Sequence, residues 1–196
     1  MSTPVIHLVV GPNGAGKTTL VTRVVQPVTR LPFVNADVIA TDRWPRSPAE
    51  HAYDASRAAA QERVELMSRG RSFITETVFS HPSKLALVDE ALGLGYLVHL
   101  HVILVPEALA VARVEHRARR GGHTVPEDKI RERFGRLWDL VAVAIERAST
   151  ASLYDNTRAG TPFRVVARYE NGRLVGKPAW PTWTPQVLVH RGRSGA

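Results

Sequence analysis

The chain has 196 residues, a formal net charge of +8 and no cysteine, and 44% of its residues are hydrophobic. This size suffices for one substantial core, and the lack of cysteine excludes disulfides, thiol nucleophiles and thiolate metal sites. Residues 1–4 carry no basic run, and the apolar stretch Val5–Val10 is too short for a signal core or a membrane span. We therefore expect a cytoplasmic protein.

The positive charge is concentrated near the C-terminus. Residues 151–196 hold seven basic and two acidic side chains, a net of +5, which leaves +3 for the first 150 residues. The body of the protein is not a polycation, so a nucleic-acid partner is not expected. This charge distribution is better suited to weak electrostatic attraction of small molecules that carry phosphate.

Apolar runs alternate with helical stretches through most of the chain, which is typical of a parallel sheet wound by crossover helices. Strands are predicted at 5–10, 32–35, 72–75, 98–105 and 151–154, and helices at 17–25, 49–69, 83–94, 106–120 and 127–148. In the last helix an apolar stripe with helical spacing predicts the buried face: Phe134, Leu137, Trp138, Val141 and Ile145. We predict a three-layer α/β/α domain over residues 1–157 with a mainly parallel five-stranded sheet.

The residues after 157 predict a small appendage and a tail. Asn171-Gly172 lies between extended segments at 163–168 and 173–175, and this pair is typical of a tight hairpin turn. We assign 158–177 to a C-terminal β-hairpin. Residues 178–196, rich in proline and tryptophan and basic at the end, form the predicted tail.

The first strand leads into a glycine-rich segment that matches G-x-x-x-x-G-K-[ST] and precedes a predicted helix. Glycines let the backbone curl so that N–H groups face a phosphate, and the helix adds its positive end. Lys17 is expected to reach the β- and γ-phosphates of ATP, and the Thr18 hydroxyl to ligate Mg²⁺. The predicted cofactor-binding residues here are Gly11, Asn13, Gly14, Ala15, Gly16, Lys17, Thr18 and Thr19.

Two carboxylates follow predicted strands at the edge of the sheet where ligands bind. Asp37 can accept the proton of an acceptor hydroxyl that attacks the γ-phosphorus; the alternative is that it only caps the next helix. Glu76 can hold Mg²⁺ through water or bind an acceptor hydroxyl, and the alternative is a structural ion pair with an arginine. The fourth strand carries no acid, so a motor-type ATPase is disfavoured and a small-molecule kinase is favoured.

Four arginines predict a lid over about residues 113–133. Three fall at i, i+4 and i+7 on one helix face, ahead of Gly121-Gly122, and the fourth comes one helical segment later. They are Arg113, Arg117, Arg120 and Arg133. Arginines on a hinged arm can close over phosphates and neutralise charge in the transition state, whereas a solvated basic face is the alternative.

In combination, these segments resemble the zeta toxins and zeta-toxin-like P-loop kinases. The motifs that carry the resemblance occur in order: GPNGAGKTT (11–19), NADVIA (35–40), ETVFS (76–80), GY (95–96), RVxxR (113–117), GGHxVP (121–126), IxxR (130–133) and YDNT (154–157). The resemblance implies a P-loop kinase fold, ATP and Mg²⁺ as cofactors, and phosphorylation of the 3′-hydroxyl of UDP-N-acetylglucosamine. It also admits an antitoxin protein as a partner.

The resemblance assigns roles by position. Lys17 and Thr18 become the ATP and Mg²⁺ groups, Asp37 the general base, and Glu76 with Thr77 a substrate contact, Glu76 also lying near the metal. Arg117 or Arg120 together with Arg133 would grip the phosphates, and Asn156 and Thr157 would lie at the nucleotide base.

One departure from the family concerns the acceptor. Many relatives carry a threonine two residues past the glutamate, where this chain has Val78. A missing hydroxyl changes which polar substrate groups find partners. A kinase for another metabolite, a nucleoside, a sugar or an antibiotic is therefore a second hypothesis. A nucleotide-dependent adaptor, whose hairpin and basic tail recruit a partner, is a third.

Overall fold

A computed structural model describes residues 3–120 and 125–191. It contains seven strands: β1 Val5–Val10, β2 Phe33–Val34, β3 Phe73–Thr77, β4 Leu97–Leu104, β5 Thr150–Asp155, β6 Arg164–Glu170 and β7 Arg173–Leu174. They form one sheet in the order β2-β3-β1-β4-β5-β6-β7.

The helices are α1 Lys17–Leu20, α2 Gln26–Thr29, α3 Ala36–Arg43, α4 Ala52–Ser68, α5 Ser83–Gly93, α6 Glu107–Arg119, α7 Glu127–Arg147 and α8 Gln186–Arg191. A π-helical segment, Val21–Val25, joins α1 to α2. Neither α3 nor α8 was predicted, because both are short and their sequences lack a long apolar stripe. No described helix has both the length and the apolar character that crossing a bilayer requires.

The strands β1 to β5 are parallel, and helices cross between them. The predicted α/β/α class is thereby confirmed. Because the strands share one direction, their carboxyl ends lie at one edge of the sheet, the usual position of a ligand site in such folds. The glycine-rich loop follows β1, Asp37 lies in the first turn of the helix after β2, and Glu76 lies near the end of β3, so all three are at this edge.

The sheet has seven strands rather than the predicted five. The strand β6 pairs antiparallel with β5, from Thr150 opposite Glu170 to Asp155 opposite Arg164, and β7 pairs with β6. The predicted appendage thus continues the sheet, because it supplies hydrogen-bond partners to the edge that β5 would otherwise expose. Part of the predicted tail also packs on the body: Leu188 of α8 is buried in the main core.

Two hydrophobic cores flank the sheet. The larger lies between one sheet face and α4, α5, α7 and α8, and the smaller lies between the other face, α1 with its π segment, and α6. The apolar stripe predicted in α7 contributes Leu137, Trp138, Val141 and Ile145 to the larger core. The smaller core packs directly beneath the glycine-rich loop and includes Ala15.

Candidate active site

The glycine-rich loop after β1 adopts a backbone that only glycine tolerates at two positions. Gly14 and Gly16 have φ angles of 76° and 95°, which lie in the left-handed region. A Cβ atom on Gly14 would lie 2.5 Å from the carbonyl oxygen of Ala110, and one on Gly16 would lie 2.8 Å from Asn156 Nδ2. Both glycines are therefore required for conformation and for close packing.

The Lys17 side chain folds back over this loop. Its Nζ donates hydrogen bonds to the carbonyl oxygens of Gly11 and Pro12, at 3.1 and 3.0 Å. Burial lowers the pKa of Lys17, and nearby Glu76 raises it in part. A desolvated ammonium group held by neutral carbonyls gains strongly from an anion, so the loop is suited to phosphate.

A cleft of about 460 Å³ opens at the carboxyl edge of the sheet, and we call it the main cleft. It brings together most of the predicted site residues: Asn13, Gly14, Gly16, Lys17, Thr18, Thr19, Asp37, Glu76, Thr77, Arg117 and Arg133. Gly11 and Ala15 are buried beneath the loop. Arg120 is exposed at the end of α6, outside the lining of the main cleft.

Asp37 lies in the first turn of α3, but Asn35 provides the helix cap. Asn35 Oδ1 accepts hydrogen bonds from the backbone N–H groups of Asp37 and Val38, at 2.7 and 3.1 Å. The Asp37 carboxylate is thus not used as the cap and remains exposed. It faces both the main cleft and a smaller adjoining pocket of about 260 Å³ that Thr41 and Asp42 also line.

Glu76 ends β3 beside the loop and contacts Thr18. The Thr18 hydroxyl donates to Glu76 Oε1 at 2.8 Å, while Oε2 is buried and has no hydrogen-bond partner among the described residues. Burial raises the pKa of Glu76, and Lys17 opposes this effect. The ion pairs of the described residues include none with Glu76, so the alternative of a structural arginine pair finds no support.

Thr18 and Glu76 fit the predicted Mg²⁺ ion. A hydroxyl and a carboxylate are oxygen donors of the kind that Mg²⁺ prefers, and the unpartnered Glu76 Oε2 offers a further acceptor. Within residues 3–120 and 125–191, no group of three or more histidine or acidic side chains could hold a metal. An ion here would therefore also need oxygens from a nucleotide or from water.

The predicted lid arginines occupy three different environments. Arg117 of α6 and Arg133 of α7 line the main cleft. Arg113 lines the main cleft as well and also bonds the backbone: its Nη2 donates to the Asn156 carbonyl at 2.9 Å and its Nη1 to the Gly14 carbonyl at 3.5 Å. The Gly-Gly break at 121–122, which was expected as the hinge, lies outside the described residues.

A second cleft of about 640 Å³ lies on the other side of the loop and has a largely apolar lining. It shares Gly14, Gly16, Thr19 and Arg113 with the main cleft and adds, among others, Tyr154, Asn156 and Phe163. Phe163 has a φ of 55°, a strained value for a residue with a Cβ atom. Thr157, which was expected near the nucleotide base, is not in this lining. Its hydroxyl donates to Asp155 Oδ1 at 2.7 Å.

Sequence reasoning found Asn156 but missed Arg23, Tyr154 and Phe163, which also line the second cleft. Tyr154 was assigned to a strand and to the YDNT motif but to no binding role, and Phe163 was assigned to the start of the hairpin. Their approach to the glycine-rich loop depends on how β6 pairs with β5, and no local sequence pattern signals that pairing. Phe163 has an unusual backbone conformation, but the three-dimensional structure is needed to see it.

Comparisons with known proteins agree with this architecture. Residues 6–137, from β1 into α7, match the AAA_33 family, described as an AAA domain. An uncharacterized protein of Haemophilus influenzae is 29% identical over 125 residues, which are 63% of this chain and 88% of that protein.

Solved structures share the fold at low identity. AvrRxo1-ORF1:AvrRxo1-ORF2, crystallised with ATP, has a TM-score of 0.68 at 17% identity over 88% of this chain, which spans only 60% of that chain. The PezAT toxin–antitoxin system of Streptococcus pneumoniae gives 0.57 at 18% over 80% of this chain and 70% of that one. A gluconokinase from Sinorhizobium meliloti gives 0.51 at 20% over 81% and 86%.

The match over residues 6–137 covers more than half of the chain and contains the glycine-rich loop, Asp37, Glu76 and the four lid arginines. The fold, with its parallel strands and its phosphate-type loop, is the one that the kinase structures share. The chain therefore belongs to the AAA domain family AAA_33 and has a P-loop kinase-type fold.

Proposed function

We propose that this protein is an ATP-dependent phosphotransferase that moves the γ-phosphoryl group to a hydroxyl of a small acceptor. One observation carries the proposal: the main cleft is lined both by a half-buried lysine on a phosphate-type loop and by a carboxylate that the fold does not use as a helix cap. Lys17 can bind a phosphate anion, and Asp37 can accept the proton that the acceptor hydroxyl loses.

The two clefts together have the shape that a nucleoside triphosphate requires. They meet at Gly14, Gly16 and Thr19, so a triphosphate lying on the loop would have its base in the apolar second cleft. Phe163 and Tyr154 offer aromatic surface there, which suits a flat heterocycle. The AvrRxo1 complex crystallised with ATP has a related fold and supports ATP as the donor.

In the proposed reaction, the acceptor oxygen forms a bond to the γ-phosphorus while the bond from that phosphorus to the bridging oxygen of ADP breaks. Asp37 takes the proton of the acceptor hydroxyl. Lys17, Arg117 and Arg133 hold the phosphate oxygens and stabilise their charge. Thr18 and Glu76 would hold Mg²⁺, which when bound neutralises part of the phosphate charge.

The acceptor that we propose first is UDP-N-acetylglucosamine, as in the zeta toxins. The fold shared with PezAT supports this choice, and the complexes formed by PezAT and by AvrRxo1-ORF1 make an antitoxin-like partner part of the proposal. Val78 lines the main cleft where a threonine would add a hydroxyl. This difference, together with the fold shared with gluconokinase, supports another metabolite, nucleoside, sugar or antibiotic as the second candidate.

The test incubates the purified protein with ATP and Mg²⁺ and a panel of acceptors that includes UDP-N-acetylglucosamine, gluconate, nucleosides and aminoglycosides. Mass spectrometry should show one acceptor gaining the mass of one phosphate, and Lys17→Ala should abolish the gain. If no compound is phosphorylated, even in a broad small-molecule extract, the kinase proposal is wrong. Phosphorylation of a different acceptor alone would keep the kinase and remove the UDP-sugar.

A further inference from the structure

Two carbonyl groups of the glycine-rich loop accept hydrogen bonds from side chains outside it. The Gly14 carbonyl accepts from Arg113 Nη1 at 3.5 Å, and the Ala15 carbonyl accepts from Asn156 Nδ2 at 2.8 Å. These side chains come from α6 and from the residue after β5, which are remote from the loop in sequence. The loop is therefore held by tertiary contacts as well as by its own glycines.

The two outside residues are also bonded to each other. Arg113 Nη2 donates to the Asn156 carbonyl at 2.9 Å, and the Asn156 backbone N–H donates to the Leu104 carbonyl at the end of β4. The loop, α6 and the exit from β5 thus form a closed set of contacts. A guanidinium group can make the two bonds of Arg113 at once, because its donors lie in a planar fork.

A buried carboxylate fixes the backbone next to Asn156. Asp155 Oδ1 accepts from the backbone N–H and the hydroxyl of Thr157, at 2.9 and 2.7 Å, and Oδ2 pairs with Arg164 at 3.1 Å. Burial alone would raise the pKa of Asp155, but these hydrogen bonds and the arginine lower it. The strand β6, which carries Arg164, therefore supports the turn from which Asn156 reaches the loop.

We propose that Arg113 and Asn156 are positioning residues that form a latch for the phosphate loop. In a planar trans peptide the C=O and N–H groups point in opposite directions, so the bond from Asn156 to the Ala15 carbonyl directs the Gly16 N–H away from Asn156. The peptide between Gly14 and Ala15 is held at both ends, since the Ala15 N–H donates to the Pro12 carbonyl at 3.2 Å. The loop thereby keeps its anion-binding shape before any ligand arrives.

This role differs from that of a lid arginine, and the difference can be measured. A lid arginine acts mainly in the transition state and lowers kcat when it is removed, whereas a latch acts on the loop in the free protein and sets phosphate affinity. The consequence for ATP rests on the proposed function. The conformation of the loop does not, and it can be tested without any nucleotide.

The first experiment measures ADP binding by calorimetry, together with kcat and KM, for Arg113→Ala, Arg113→Lys and Asn156→Ala. We expect ADP affinity to fall about 10-fold or more in all three, because each loses a hydrogen bond to a loop carbonyl. Lysine should fail to rescue, since it cannot serve both carbonyls in fork geometry. The loss of ADP affinity should exceed any fall in turnover at saturating ATP. Arg119→Ala, an exposed arginine of the same helix, is the control and should match the wild type.

The second experiment measures hydrogen exchange in the nucleotide-free protein. The latch predicts that amides of residues 13–17 exchange about 10-fold faster in Arg113→Ala and Asn156→Ala, while β1 and β4 keep their protection. Unchanged exchange in the loop, or equal acceleration throughout the sheet, would overturn the latch. So would a fall in kcat with unchanged ADP affinity. A wild type that binds no nucleotide would refute the proposed function, and the exchange data would still decide the latch.

Discussion

The proposed function assigns one side of the main cleft to the phosphate donor and the other to the acceptor, and these two sides are built differently. On the donor side, the loop is fixed by Lys17 and by contacts from α6 and from Asn156. On the acceptor side, Asp37 is exposed in the first turn of the eight-residue helix α3, and the adjoining pocket is small and open. The proposed phosphate site is thus preorganised, whereas the shape of the proposed acceptor site depends more on the molecule that binds.

This difference predicts which property each substitution should change. A preorganised site costs little to fill, so changes there should alter stability and nucleotide affinity. An exposed side chain contributes little to stability, so a change there should alter turnover alone. The five variants below test this division.

The largest effect is expected for Asp37→Asn. The amide keeps the size and the helix cap by Asn35 but cannot accept the proton, so kcat should fall by roughly 10²–10⁴. ATP affinity and thermal stability should stay at wild-type values, which calorimetry and thermal unfolding can check. Asp139→Asn, an exposed aspartate of α7, is the control. Equal turnover in Asp37→Asn would remove Asp37 from the mechanism, and a function that needs Lys17 but not Asp37 would favour the adaptor hypothesis.

The next effect concerns the lid, through Arg133→Ala. Arg133 lines the main cleft from α7, and loss of one charge-stabilising donor lowers kcat by about 10². The change in ATP affinity should be smaller, because the contact is strongest in the transition state. Arg136→Ala is the control, since Arg136 is exposed and pairs with Glu132 at 3.3 Å. A change in affinity without a change in kcat would contradict the lid.

On the donor side, Gly14→Ala should weaken both the fold and nucleotide binding. The added Cβ would lie 2.5 Å from the Ala110 carbonyl, on a backbone with φ of 76°, and a strained left-handed residue costs about 1–3 kcal/mol. Chemical denaturation and ADP titration would measure the two losses. Gly160→Ala, with no atom within 4 Å of its new Cβ, should change neither. Wild-type ADP affinity in Gly14→Ala would mean that the loop adapts freely.

Much of the donor side could be predicted from sequence because its determinants are local. A strand, a glycine pattern and a helix in succession define the loop wherever they occur, and the 3.6-residue stripe that ends at Ile145 correctly predicted the buried face of α7. The carboxylate at residue 37 was found for the same reason, since it directly follows a strand. Its role as a base remains a prediction.

What sequence could not provide depends on contacts between remote segments. Arg113 and Arg117 share one helix face and both line the main cleft, yet Arg113 also bonds the glycine-rich loop. The carbonyls that Arg113 meets belong to residues 14 and 156, which are remote from it in sequence. The same holds for β6, whose place in the sheet depends on the free edge of β5. Periodicity reports which face is buried, not what lies against it.

A smaller, pH-dependent effect is expected for Glu76→Gln. Burial raises the pKa of Glu76 above its ordinary value of 4.5. As pH rises from 4.5, the unfolded chain loses this proton first, so the folded state binds more protons and the free energy of unfolding falls. Glutamine lacks this penalty. The variant should thus be more stable than the wild type at neutral pH, and the difference should vanish below about pH 4.

Urea unfolding across that pH range would measure the difference, with Glu115→Gln, an exposed glutamate of α6, as the control. Turnover of Glu76→Gln should fall at the same time, because the residue contacts Thr18 in the main cleft. A variant that is less stable than the wild type at neutral pH would show that the attraction between Glu76 and Lys17 outweighs burial. The carboxylate would then be a structural part of the donor side.

The smallest effect is expected for Gly135→Ala, in the helix that carries Arg133. Gly135 lies inside the 21-residue helix α7, and its new Cβ would meet no atom within 4 Å. Alanine restricts the unfolded chain and favours helix, so stability should rise by about 0.5–1 kcal/mol with turnover unchanged. Thermal unfolding should detect an increase of about 1–4 °C. A loss of stability would mean that α7 needs this glycine in order to bend or move. The predicted lid would then depend on a flexible position in α7, whereas the glycine-rich loop depends on tight contacts.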